Sequence, residues 1–142
     1  MPAEYIPEKL RKQIIKRARG YCEYCRCPDT VTNSPFSVDH IIPKSKGGKT
    51  TPSNLAYACQ GCNGKKHNKL KAFDFLTRKR VVLFHPRKQK WTDHFCWSDD
   101  FKLVLGITPT GRATIEAMGL NRLGVRNLRE VLRDFNQHPP ED

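Results

Sequence analysis

The sequence predicts an α+β fold: a small strand–strand–helix core with a four-cysteine metal site, a basic helix before it and a hairpin-plus-helices layer after it. Three observations carry this reading. Two Cys-x2-Cys pairs, Cys22/Cys25 and Cys59/Cys62, bracket the middle of the 142-residue chain. A β-rich run, a Gly-rich loop and a second short β run lie between them. Only 37% of the residues are hydrophobic and the mean hydropathy is −0.67, so the core is modest and a staple has something to do. The segments are residues 1–21, the basic N-terminal helix; 22–72, the stapled core; and 73–142, an α+β extension.

The elements follow in order. Residues 7–19 (PEKLRKQIIKRAR) predict a helix, with Pro7 in the first turn and Gly20 at the C-terminal cap. Leu10, Ile14 and Ala18 share one face, while Lys9, Arg11, Lys12, Lys16, Arg17 and Arg19 cover the rest. Residues 22–27 turn around the first cysteine pair, and a polar loop follows. Phe36 to Ile42 predicts a strand that Pro43 ends. Residues 44–53 (KSKGGKTTPS) form a basic, flexible loop. Leu55 to Ala58 is a second strand, and Cys59 and Cys62 open a short helix running to about Leu70. Arg80 to Phe84 is extended. Trp91, Phe95 and Trp97 alternate, as do Phe101, Leu103 and Leu105 beyond a Ser-Asp-Asp turn, which predicts a hairpin. Thr108 caps a helix that has Pro109 at its first position and Gly119 just past its end. Val125, Leu128, Val131, Leu132 and Phe135 mark a last amphipathic helix, and the HPPED tail is expected to fray.

Each Cys-x2-Cys pair brings two thiolates to one point, and two pairs complete a tetrahedral structural zinc site. The 33 residues between the pairs (26–58) exceed the roughly 15–20 of a zinc ribbon, so that segment holds structure of its own. Redox-active dithiols are the rival reading, disfavoured because neither pair sits in a βαβ pattern. With four protein ligands the zinc site is closed to substrate, and any chemistry lies elsewhere. Cys27 and Cys96 are left over as small buried side chains or idle thiols.

The formal net charge is +12, with a pI near 9.7. Residues 1–90 carry 20 Lys and Arg against 6 Asp and Glu, whereas residues 91–142 carry 6 against 8. One basic half facing a polyanion is the expected consequence. The N-terminus has no apolar signal-like run, and no stretch approaches the ~20 apolar residues of a membrane span, so a cytoplasmic protein without membrane partners is expected.

Asp39 and His40 lie within the predicted first strand, whose geometry points them to opposite faces unless the strand end is bent. Asn63 follows Cys62 on the helix, and His67 lies one turn on. A carboxylate and an amide suit a hard divalent cation, and a neutral imidazole can take a proton from water. Taken alone, Asp-His fits a capping pair or a hydrogen-bonded core histidine equally well.

The ordered set Cys22-x2-Cys25, Asp39-His40-Ile41-Ile42-Pro43, Gly47-Gly48, Asn54-Leu55, Cys59-x2-Cys62-Asn63 and Lys66 resembles the HNH endonuclease family, the zinc-stapled branch of the ββα-metal (His-Me finger) nucleases. The resemblance implies two strands and a helix around one catalytic metal. It implies His40 as general base, Asp39 as first metal ligand and Asn54 as the residue tying the loop that holds His40. Asn63 is implied as the second ligand, standing where many members carry His, and His67 as a possible third. An Asp/Asn pair favours Mg2+ or Mn2+. The implied reaction is hydrolysis of double-stranded DNA to 5′-phosphate and 3′-hydroxyl ends. Lys44, Lys46, Lys49, Lys65, Lys66 and the basic helix are then the expected phosphate contacts. A zinc-stabilised nucleic-acid-binding module without catalysis is the competing reading. Residues 83–95 and 106–122 also resemble the extension of stand-alone bacterial HNH proteins, with Trp91, Phe95 and Trp97 expected in the core.

Overall fold

The computed structural model describes residues 5–141. Helix α1 spans Glu8–Ala18 and buries Ile14. It stops where Arg19 and Gly20 turn left-handed (φ 58° and 80°), and the Arg19 and Gly20 amides bond back to the last turn. The chain then makes a tight knuckle closed by Cys22 N–H donating to Cys27 O at 2.8 Å.

Strand β1 (Ser37–His40) pairs antiparallel with β2 (Leu55–Ala58), placing Asp39 opposite Ala56 and His40 opposite Leu55. β1 is shorter than the predicted 36–42 run, because beyond His40 the backbone leaves the ladder for a loop held by side chains. The 44–53 loop contains two single-turn 3-10 segments, Lys44–Lys46 and Pro52–Asn54. Helix α2 (Gln60–Lys66) follows β2; the Cys59 sulfur accepts from Cys62 N–H at its N-cap. α2 ends before the expected Leu70, since His67 takes φ 49° and breaks the helical repeat.

Beyond the core, β3 (Lys71–Asp74) and β4 (Lys79–Val82) form a hairpin, of which only the second strand is anticipated by the sequence. β3 mixes Lys, Ala, Phe and Asp and shows no clean alternation. Trp91 begins a single helical turn, α3 (Trp91–His94), instead of the expected strand. The hairpin proper is β5 (Phe95–Trp97) with β6 (Val104–Gly106). α4 (Pro109–Met118) has the predicted Thr108 cap, whose side chain accepts from Gly111 N–H, and Gly119 ends it at φ 58°. α5 (Leu123–Asp134) closes the chain. The tail is not frayed at His138, which is buried, packs edge-to-face against Trp97 and contacts Phe101 O at 2.8 Å.

One buried cluster joins all three segments: Ile14 of α1, the cysteines, Phe36, Leu55 to Ala58, Phe84, Trp91, Phe95, Val104, Met118, Leu120 and Val125. Polar ties reinforce it. Trp91 Nε1 donates to Tyr24 O at 3.0 Å, and the buried Arg129 guanidinium reaches Cys25 O, Leu120 O and Asn121 Oδ1 while lying over Trp97. Among the described residues no helix is long and apolar enough to cross a membrane.

Candidate metal centres and active site

The four predicted cysteines converge. Cys22, Cys25, Cys59 and Cys62 are buried, and their sulfurs all lie within 4.8 Å of one another, with Cys25 Sγ 3.7 Å from Cys59 Sγ. Tetrahedral thiolate bonds of about 2.3 Å separate sulfurs by about 3.8 Å, so the spacing fits one ion. Cys27 is buried with its sulfur 3.3 Å from Cys25 Sγ, whereas Cys96 is exposed on β5.

The second constellation lies at the end of β1. Asp39 is buried at 4% exposure and His40 is partly buried on the opposite side of the strand. His40 Nε2 lies 2.8 Å from Thr50 Oγ1 in the following loop. Asn54 clamps that loop: its Oδ1 accepts from Ile42 N–H at 2.9 Å, and its Nδ2 donates to Ile42 O at 3.1 Å and Lys49 O at 2.9 Å. Gly48 is required there, because a Cβ would sit 1.7 Å from Ile42 O and 2.9 Å from Asn54 Nδ2.

Lys66 is the residue that sequence reasoning misplaces. Expected on the surface as a phosphate contact, it is 1% exposed. Its ammonium donates to Asp39, at 3.3 Å from Oδ1 and 3.2 Å from Oδ2, and to the carbonyls of His40 and Ile41, each at 3.0 Å. Tyr24 Oη donates to Asp39 Oδ2 at 2.8 Å. Burial raises the Asp39 carboxyl above the usual range, while the Lys66 charge and the Tyr24 hydrogen bond work against that rise. Burial and the Asp39 charge push the Tyr24 phenol well up. The sequence signal for Lys66 is its spacing: at i+3 from Asn63 it shares the helix face turned toward β1. Asn63, partly buried, sits one turn earlier on that face. His67 lies past the helix end and is exposed.

A carboxylate offers about four acceptor positions, and Tyr24 with the forked Lys66 contact uses three. An Asp39 carboxylate and an Asn63 amide would offer oxygen donors only, the kind a hard divalent ion takes, and Lys66 is an internal cation already on that carboxylate.

Several basic side chains are tied to backbone carbonyls. Arg11 donates to Phe36 O at 2.8 Å, Arg17 to Pro52 O and Leu55 O at 2.9 and 2.7 Å, and Lys46 to Asn68 O at 2.7 Å. Lys9, Lys12 and Lys16 of α1 and Lys44, Lys49 and Lys65 remain exposed.

The HNH endonuclease family model matches residues 22–69. A CRISPR-associated endonuclease Cas9 of Corynebacterium diphtheriae is 35% identical over 101 residues, an alignment covering 65% of this chain and 9% of the relative. The chain therefore spans under a tenth of that relative's length. No solved structure matches it.

Proposed function

From the HNH endonuclease domain at residues 22–69, we propose that this chain is a divalent-metal-dependent endonuclease that hydrolyses double-stranded DNA to 5′-phosphate and 3′-hydroxyl ends. The observation carrying this reading is the Asn54 clamp beneath the turn that follows His40. A module that only binds has no need to hold one imidazole against a rigid loop.

His40 is the general base. Its imidazole, with Nε2 2.8 Å from Thr50 Oγ1, takes the proton of the attacking water. Asp39 and Asn63 would hold Mg2+ or Mn2+, with His67 offering a further ligand from just past the helix end. A cation held there would supply charge stabilisation to the phosphate and the departing oxygen. Lys66 and Tyr24 hold Asp39 in place, and Lys66 also fixes the His40 carbonyl, so α2 and β1 keep one relative position. Cys22, Cys25, Cys59 and Cys62 hold structural zinc. Lys44, Lys49, Lys65 and the exposed lysines of α1 contact phosphates.

Supercoiled plasmid incubated with protein and Mg2+ tests the reading. Nicking that EDTA stops and that His40→Ala lowers by about 10²–10⁴-fold, with folding and DNA binding retained, supports it. The engagement of Asp39 by Lys66 favours one alternative, a zinc-stabilised binding module; intact plasmid with retained DNA binding would establish that reading instead.

A further inference from the structure

The loop between α4 and α5 carries one side chain to the cysteine cluster. Arg122 Nη2 lies 3.3 Å from Cys59 Sγ and Nη1 3.6 Å from Cys62 Sγ. The same guanidinium donates to Gly119 O at 3.0 Å, and its Nη1 lies 3.5 Å from Met118 O, at the C-terminal end of α4. Its backbone is anchored there too, with Arg122 N–H donating to Gly119 O at 3.1 Å.

The knuckle makes room for it. In Cys59-Gln60-Gly61-Cys62, a Cβ at Gly61 would meet Arg122 Nη2 at 2.4 Å and Cζ at 2.8 Å. Gly61 has no left-handed backbone requirement, so its lack of a side chain serves this approach. Four thiolates on a divalent ion form a dianion, and burying a dianion in a small protein core is costly unless charge and donors meet it. A guanidinium meets both needs, because it is always charged and weakly hydrated and its planar fork reaches two sulfurs at once.

We propose that Arg122 is a positioning residue of the metal centre, the charge-neutralising donor to the Cys59 and Cys62 thiolates, through which the C-terminal extension sets how tightly the ion is held. This rests on the four-thiolate zinc reading and is independent of the nuclease reading. Hydrogen bonds to the sulfurs lower their electron-donating power and their reactivity toward electrophiles, and hold the second knuckle in its bound geometry. The extension is then part of the metal site.

The test uses the full chain. Zinc content of the purified wild type is measured first, then the rate and affinity of zinc transfer to a chromogenic chelator for wild type, Arg122→Ala, Arg122→Lys and Gly61→Ala. Arg122→Ala and Gly61→Ala are expected to hold zinc about 10–100-fold more weakly, with Arg122→Lys between them and wild type. In the cobalt-substituted protein, loss of the donors shifts the thiolate-to-cobalt charge-transfer band to lower energy. Gly61→Ala and Arg122→Lys carry the test if Arg122→Ala does not fold. Zinc-free wild type would overturn the metal reading and this inference with it. Wild-type zinc retention and an unmoved cobalt band in the folded variants would overturn the inference alone. A fall in thermal stability without either change would leave Arg122 as a cap for α4 and equally refute it.

Discussion

Asn54→Asp exchanges one NH2 group for oxygen at nearly constant volume, which makes it a sharp probe of the loop that presents His40. The wild-type Nδ2 donates to Ile42 O and Lys49 O, and Oδ1 accepts from Ile42 N–H. The substitution keeps the accepted bond and removes the two donated ones, worth about 1 kcal/mol each. It also aims a carboxylate oxygen at two carbonyl oxygens in a buried site, at a further cost of about 1–3 kcal/mol. The expected loss is about 3–5 kcal/mol at neutral pH, a large part of the roughly 5–15 kcal/mol that holds a typical domain. The pH dependence has a definite sign. Facing two acceptors, the introduced carboxyl has a folded pKa above its unfolded value near 4. Protonation restores one donor, so the deficit relative to wild type is smallest below about pH 4 and grows as pH rises through the folded pKa. Urea unfolding of both proteins at pH 8, 6 and 5, with amide exchange at Ile42, measures it. A deficit under about 1 kcal/mol at pH 8, or one that does not shrink toward pH 5, would refute the clamp.

Lys66→Met strips a buried carboxylate of its cation and should cost about 3–5 kcal/mol in denaturant unfolding. Adding Asp39→Asn to it should return part of that loss, because no unpaired charge then stays inside; a double variant less stable than the single one would contradict the pairing. Asp74 is held below the usual carboxylate range by the Arg112 guanidinium and by hydrogen bonds from Thr77. A depressed carboxyl stabilises the fold above about pH 4 and loses that contribution as pH falls through its folded value. Asp74→Asn should therefore flatten the acid limb of a Tm-against-pH curve between pH 2 and 6. Cys59→Ser should leave the chain unfolded by circular dichroism, since zinc binding in small thiolate sites is coupled to folding with about 10–16 kcal/mol; a folded, zinc-bearing variant would sink the four-ligand assignment.

The legible parts of the fold are those with local causes. Thr108, Pro109 and Gly119 delimit α4 where the sequence predicts, because a cap hydroxyl, a fixed φ and a left-handed glycine act within one turn of chain. β2 and the start of α2 are equally plain. β3 escapes a local reading because its inward-facing Asp74 is held by Arg112, a partner 38 residues away. The alternation of Trp91 with Phe95 and Trp97 suggests a strand, but it ignores the single helical turn that lets the Trp91 indole reach Tyr24 O. His138 looks like tail in sequence because nothing local shows that Trp97 and Phe101 cover it.

By itself the sequence determined which residue types could do chemistry and in what order they occur. The spacing of the cysteines, the Asp39-His40 pair, Asn54 and Asn63 are properties of the chain, readable without coordinates. Tertiary structure decided which charges stay outside and which are consumed within. Lys66 and Arg122 are ordinary cations in sequence, yet one lies buried against Asp39 and the other, partly buried, reaches two cysteine sulfurs. The physical reason is desolvation: a buried anion demands a cation from wherever the fold can deliver one, and delivery depends on helix packing, which no local pattern encodes.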